Sequence, residues 1–291
     1  MFCPVCNHKE YSTLLTVKDF TVTLENFEVV ECTSCGFRYT AHPPAPDQIG
    51  RYYQSDAYIS HTDSKKGIFN TIYQLIRKQA VASKRKLVTQ YSHRQTGQLL
   101  DYGCGTGAFL LEMKSAGWQV QGMEPDPGAA SRAAELTASV ISHPDQLASL
   151  PDNAFHVVTM WHVLEHVHDL HCTLDHVKRI LKQGGMLIVA VPNHTSFDAK
   201  QYAAAWAAYD VPRHLHHFSP DSLSKLMQLH SMKVKAIKPM WYDAFYVSLL
   251  SEKYKTGSMR LIPALITGII SNINAIFKKG VCSSQIYIIS A

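Results

Sequence analysis

The chain has 291 residues, of which 46% are hydrophobic and 18% charged, and a net charge of +5. That balance describes a folded globular chain and excludes intrinsic disorder, and the length fits one large α/β domain with attachments, or two domains, but not three full cores. No charged-then-apolar leader opens the sequence. The longest apolar run, Leu261–Phe277, is broken by Pro263, Gly268, Asn272 and Asn274 and is shorter than the ~20 residues of a spanning helix, so neither a signal peptide nor a transmembrane segment is expected.

Chemistry begins at the N-terminus. Seven cysteines without an export signal indicate a reducing, cytoplasmic setting with free thiols. Four form two pairs, Cys3-Pro-Val-Cys6 and Cys32-Thr-Ser-Cys35, separated by 25 residues with a strand-like stretch around Leu24–Val30. Each C-x-x-C turn aims two sulfurs at one point, and two turns complete a closed tetrahedral set, so Cys3, Cys6, Cys32 and Cys35 are expected to hold one structural Zn2+ in a small ribbon-like module over 1–41. A redox-active pair is the competing reading, but that motif opens a helix in a βαβ unit, and this context lacks one.

The Pro-rich run His42-Pro43-Pro44-Ala45-Pro46-Asp47 reads as a semi-rigid joint that starts a linker segment over 42–97. Between Ser64 and Leu100 there is no Asp or Glu, while Lys65, Lys66, Arg77, Lys78, Lys84, Arg85, Lys86 and Arg94 all fall there. Ile68, Ile72, Leu75, Ile76, Leu87 and Tyr91 place this stretch on one or two amphipathic helices. Its positive face suits solvent, RNA or an anionic surface.

From Gln98 onward strands and helices alternate. Strands are expected at Gln98–Tyr102, Trp118–Met123, Val140–Ile141, Phe155–Trp161, Met186–Val191 and Met232–Ile237. Helices are expected over Ala108–Ala116, after an Asp126 cap with Pro127, along the face of Leu170, Leu174, Val177, Ile180 and Leu181 up to Gly184-Gly185, and after Ser219-Pro220. Alternation of this kind implies a parallel sheet with helices on both faces. Tyr242–Leu250 reads as a continuation of the sixth strand and Gln285–Ser290 as a last one. The helical insertion between them, at about 251–280, suits a lid, a dimer contact or, with Lys278 and Lys279 flanking it, a peripheral membrane contact.

The segment Leu99-Leu100-Asp101-Tyr102-Gly103-Cys104-Gly105-Thr106-Gly107-Ala108-Phe109 runs from a strand through glycines into a helix, the place where α/β sheets take nucleosides. Gly103, Gly105 and Ala108 also satisfy a dinucleotide pattern, and Glu124 ending the second strand suits the ribose of either NAD or another adenosine ligand. The set as a whole, however, strongly resembles the class I S-adenosylmethionine-dependent methyltransferases. Asp101–Gly107 resembles their first motif and Gly122-Met123-Glu124-Pro125-Asp126 their second. Leu150-Pro151-Asp152-Asn153-Ala154-Phe155-His156-Val157-Val158 is similar to the fourth-strand motif, and Leu181-Lys182-Gln183-Gly184-Gly185-Met186-Leu187 to the fifth. The resemblance covers about Gln98 to Leu229 and, with the cysteine module and the Pro-Arg-His-Leu-His-His-Phe segment, extends to a bacterial subgroup with an N-terminal zinc module. His156 departs from it, standing where the family usually has Asp.

The resemblance implies a doubly wound seven-stranded Rossmann-like sheet, a methyltransferase domain over 98–291, and S-adenosyl-L-methionine as cofactor. Asp101, Gly103, Cys104, Gly105 and Gly107 would hold its methionyl part and ribose, Glu124 with Pro125 the ribose hydroxyls, and Asp145 or Gln146 the adenine amine, with Trp161 and His162 walling the site. His162-Val163-Leu164-Glu165-His166 also spells a metalloprotease motif, but that motif needs one continuous helix and this segment ends a strand. Glu165 and His166 are expected at the edge of the substrate pocket. The segment Tyr209–Phe218 is dense in titratable groups, with His214 and His217 as candidate bases beside His166, Tyr209 as a substrate contact, and Arg213 as a clamp for an anionic group. The expected function is transfer of the methyl group to an O, N or C nucleophile of a small molecule. An RNA methyltransferase, a non-catalytic cofactor-binding protein and an NAD oxidoreductase are the alternatives.

Overall fold

A computed structural model describes residues 2–54, 68–277 and 281–291, and for 68–77 the backbone alone. Lys65, Lys66, Lys278 and Lys279, and the side chains of Ile68, Ile72, Leu75, Ile76 and Arg77, lie outside the described residues.

Five parallel strands carry the expected alternation: β4 (Gln98–Tyr102), β5 (Gln119–Met123), β6 (Ile141–Ser142), β7 (Phe155–Trp161) and β8 (Leu181–Pro192). With β10 (Lys233–Pro239) and β11 (Ser284–Ser290), they form a seven-stranded sheet in the order β10-β11-β8-β7-β4-β5-β6, in which β11 runs antiparallel to both neighbours. The chain reverses direction across the sheet between β4 and β7, which opens a crevice at their carboxyl ends. Leu99, Leu100, Val157, Val158, Ile188 and Val189 are fully buried because helices cover both faces. Asp126 caps the helix Pro127–Thr137 by accepting from the Ala129 N–H at 2.7 Å, and Ser219 caps Pro220–Leu229 through a reciprocal pair with Ser222.

Two sequence expectations shift. Gly184-Gly185 does not stop a helix; the helix ends at Ile180, and the glycines lie inside the long strand β8, whose pairing with β7 slips between Phe155 and Val157. Tyr242–Leu250 is not strand but most of a helix, α7 (Asp243–Thr256), which ends at Gly257. The apolar run forms α8 (Leu261–Phe277), and its inward face is made of the small residues Ala264, Thr267, Gly268 and Ser271. A Cβ at Gly268 would stand 2.7 Å from the Phe245 ring, so glycine there lets α7 and α8 approach closely. Buried Asp198 anchors the pair, accepting from Ser271 Oγ at 2.6 Å, Ser283 Oγ at 2.7 Å and Trp206 Nε1 at 2.7 Å.

The N-terminal segment supplies β1 (Tyr11–Lys18), β2 (Asn26–Cys32) and β3 (Arg38–Thr40), antiparallel throughout. The loop after β8 supplies a fourth strand, β9 (His216–His217), with Arg38 opposite His217 and Tyr39 opposite His216. Phe37, Tyr39 and Cys32 then share one continuous apolar cluster with Phe218, Leu164 and Val191. Arg213 completes the junction. Its guanidinium is 1% exposed and donates to Asp19 Oδ1 at 3.0 Å, to both oxygens of Asp210, to the Tyr52 carbonyl at 2.7 Å and to Thr21 Oγ1.

Candidate active site at the carboxyl ends of the parallel strands

Beyond Tyr102 the chain turns through Gly103, Gly105 and Gly107, all at positive φ. A Cβ at Gly103 would stand 2.3 Å from Val163 and one at Gly107 3.0 Å from Ala133, whereas at Gly105 it would meet nothing within 4 Å. The outer glycines thus let the loop pack, and the middle one leaves backbone open to a ligand. The Gly105 N–H donates to Glu124 Oε2 at 2.8 Å and the Asp126 N–H to Glu124 Oε1 at 3.1 Å, which fixes the carboxylate at the end of β5. Burial raises the Glu124 pKa against these bonds. Asp101 is 1% exposed and accepts from Thr159 Oγ1 at 2.6 Å; burial lifts its carboxyl to about 7, with Thr159 and the Lys84 ammonium pulling the other way.

Lys84 is the residue that sequence reasoning misplaced. It lies on α1 (Ile68–Ser92), and its ammonium stands 4.4 Å from the centroid of the Trp161 ring. Burial lowers its pKa, while the fields of Asp101 and Asp243 raise it. Its neighbour Arg85 pairs with Glu112 at 2.7 Å. Trp161 packs edge-on against Phe109, and its buried Nε1 has no hydrogen-bond partner among the described residues.

His162 follows at a positive φ of 57°, held between Glu165 Oε1 (3.3 Å from Nδ1) and Asp243 Oδ2 (3.0 Å from Nε2). Burial opposes protonation, but the two carboxylates outweigh it and hold the imidazolium up to about 10. Asp243, the first residue of α7, carried no sequence signal for this role. Glu165 is fully buried; burial pushes its pKa up, yet His162 and the neighbouring histidines keep it below the usual carboxylate range. Its Oε2 has no partner among the described residues.

His166 and His214 lie edge-on with ring centroids 4.6 Å apart. His214 Nδ1 is 2.9 Å from the Ala208 carbonyl, and His166 Nδ1 is 3.0 Å from both the Arg213 carbonyl and the Tyr53 hydroxyl. Burial, and then His214, lower His166 to about 4, so its ring is neutral at physiological pH. Donor atoms of Glu165, His166 and His214 fall within 4.8 Å of one another, a spacing that serves a shared proton or a cation. The structure therefore brings these three together at the mouth of the crevice.

The remaining expected site residues are spread more widely. Arg213 spends its donors on the junction described above. Tyr209 is buried against Trp206 and His217, and His217, in β9, has Nε2 3.1 Å from Thr40 Oγ1. Asp145 and Gln146 sit on the short helical turn Pro144–Ser149, with the exposed Asp145 carboxylate 3.1 Å from His143 Nδ1. Pro125 is exposed beside Glu124, and Cys104 is buried beneath the loop, where burial pushes its thiol up to about 12. His156 receives the Gln98 N–H at 3.0 Å, a backbone contact at the start of β4.

The crevice fits S-adenosylmethionine. It offers an anion and a cation (Asp101, Lys84) for a zwitterionic methionyl group, a fixed carboxylate for a ribose, and an open backbone stretch at Gly105. In the N-terminal segment, Cys3 and Cys35 have sulfurs 3.6 Å apart, Cys6 and Cys32 3.5 Å, and all four lie within 4.8 Å of one another. Zn–S bonds of about 2.3 Å in a tetrahedron give S–S edges of about 3.8 Å, so the cluster fits a zinc ion.

Comparison with known proteins agrees. A family described as "Methyltransferase domain" matches residues 73–234. Ubiquinone biosynthesis O-methyltransferases from Rhodopseudomonas palustris and Maricaulis maris are each 30% identical, over 47% and 48% of this chain and 58% and 60% of theirs. The chain thus spans about three fifths of the length of these relatives. A SAM-dependent methyltransferase from Archaeoglobus fulgidus shares the fold at 18% identity and a TM-score of 0.52, covering 77% of this chain and 100% of that one. Geranyl diphosphate C-methyltransferase from Streptomyces coelicolor does so at 15% and 0.52, covering 80% and 86%. A match over more than half of its length, on a sheet of this order with its glycine loop at the crevice, makes the chain a member of the class I S-adenosylmethionine-dependent methyltransferases.

Proposed function

We propose that the protein transfers the methyl group of S-adenosylmethionine to a nucleophile, a hydroxyl in the simplest case, of a small-molecule acceptor. The observation that carries this reading is the convergence of two sets of groups on one crevice: Asp101, Lys84, Glu124 and Gly105 on the cofactor side, and Glu165, His166 and His214 on the acceptor side. The bound sulfonium supplies an electrophilic methyl group. Asp101 and Lys84 take the cofactor's ammonium and carboxylate, Glu124 its ribose hydroxyls, and Trp161 and His162 close the wall. His166 presents a neutral ring to the acceptor with His214 edge-on beside it, and the Glu165 carboxylate lies next to both to stabilise the proton they remove.

The relatives named for ubiquinone O-methylation support a small-molecule acceptor. The RNA reading loses part of its support, since Lys84 turns toward Trp161 and Asp101 and Arg85 pairs with Glu112. Structural zinc on the four cysteines and a reducing, cytoplasmic setting belong to the same proposal. Calorimetry should show micromolar binding of S-adenosylmethionine that Glu124→Ala abolishes, and incubation of a small-molecule extract with methyl-labelled cofactor should yield a labelled product. Tighter binding of NAD would overturn the reading.

A further inference from the structure

Packing its small residues inward leaves α8 with its large residues outward. Ile262, Ile266, Ile269, Ile273 and Ile276 recur every three or four positions along one face, and with Phe277 they stand between 46% and 82% exposed. Isolated exposed apolar residues are ordinary, but a continuous stripe along 17 residues is not. No described helix is long and apolar enough to cross a membrane. Exposed Trp241 adjoins the stripe, with its carbonyl accepting from Asn272 of α8 at 2.9 Å.

The segment that bears the stripe carries charge of one sign. From Lys253 to the last residue there is no Asp or Glu, while the exposed Lys253, Lys255 and Arg260 fall there, as do Lys278 and Lys279, which lie outside the described residues. A second copy docked on this face about a two-fold axis would set this basic rim against itself, with no acid in the segment to answer it. An anionic lipid surface answers both features, taking the isoleucines among its acyl chains and the lysines and arginine at its headgroups. We infer that α8 lies in the plane of an anionic membrane surface and docks the protein there. Asp243, which opens the helix packed on the inner face of α8, pairs with His162, so α7 links the docked helix to the wall of the crevice.

The test is sedimentation of the full, zinc-loaded chain with vesicles of phosphatidylcholine alone and of phosphatidylcholine with phosphatidylglycerol. Binding to the anionic vesicles is expected, weakening with salt, with Trp241 fluorescence shifting to the blue. The double variant Ile266→Glu/Ile273→Glu, at exposed positions, should retain its melting temperature and its cofactor affinity yet bind the vesicles at least ~tenfold more weakly. Lys253→Gln/Arg260→Gln should also weaken binding. Absence of binding to anionic vesicles would overturn the inference, as would a dimer in solution that the double glutamate variant dissociates without changing lipid affinity.

Discussion

At the scale of single residues, two buried carboxylates make opposite bargains with their surroundings. Asp101 has only Thr159 and a cation across the crevice to offset burial, and its carboxyl titrates at about 7. Its ionised form is the one that meets the cofactor's ammonium, so affinity for S-adenosylmethionine should fall as pH drops, about tenfold between pH 8 and pH 6. Calorimetry across that range checks this, and Asp101→Asn should bind weakly with the slope gone. Cofactor affinity near neutral pH thus follows Asp101, while burial takes His166 down to about 4. His166→Ala and His214→Ala should each bind the cofactor normally while turnover falls ~10²–10⁴-fold. Asp19 goes the other way. Burial would raise its pKa, but the Thr23 and Thr21 N–H groups and Arg213 hold it at about 2. Its folded pKa is below its unfolded value, so it contributes about 2 kcal/mol above pH ~4, lost as pH falls toward 2. Arg213→Ala strands that charge and should cost ~3–5 kcal/mol in chemical denaturation. Arg213→Lys should recover only part, since an ammonium lacks the planar fork that reaches all these acceptors.

At the scale of elements, the sequence was most informative where a local pattern determines the outcome. The strand, glycine and helix succession around Asp101–Phe109 sits where its spacing places it, because the turn needs residues without a Cβ and nothing distant changes that. Helix caps at Asp126 and Ser219 follow from their own hydroxyl or carboxylate. Tyr242–Leu250 went wrong because a short apolar run carries no period that separates strand from buried helix; contact with α8 decides it. Lys84 was read as part of a solvated basic face, although Lys84, Val88 and Tyr91 share a helical face and Val88 is fully buried. A lysine on the apolar side of a helix was the legible sign that this cation points inward. Lys84→Ala should weaken cofactor binding and remove a counter-charge from Asp101, moving its titration upward, which NMR of the carboxyl would detect. The four cysteines were legible from spacing alone. Cys32→Ser should release about one zinc per chain and make the N-terminal strands sensitive to protease at temperatures where the parallel sheet persists.

At the scale of the whole molecule, the alternation of strands and helices implies the parallel part of the seven-stranded sheet, but nothing implies the four-stranded one. Its last strand is His216–His217, of which His217 reads as a candidate base in a loop, and nothing in their neighbourhood announces a partner near residue 38. That closure has a cost in time. Thr40 and the His214 carbonyl it donates to are 174 residues apart, so at the ~5–20 residues per second of synthesis the edge of β3 waits on the order of ten to thirty seconds for its partner. An unpaired edge is a template for another chain, and over that interval the nascent module is the part of the protein most exposed to wrong pairing. The cysteines, by contrast, are all available as soon as Cys35 has emerged. Chains arrested short of Asp210 should therefore already protect their thiols from alkylation when zinc is supplied, while remaining open to cleavage beside Arg38; extension past Phe218 should close that site. On the proposed zinc site, metal capture would precede the completion of the sheet it supports, and the ion would act first as a guard on an unfinished edge.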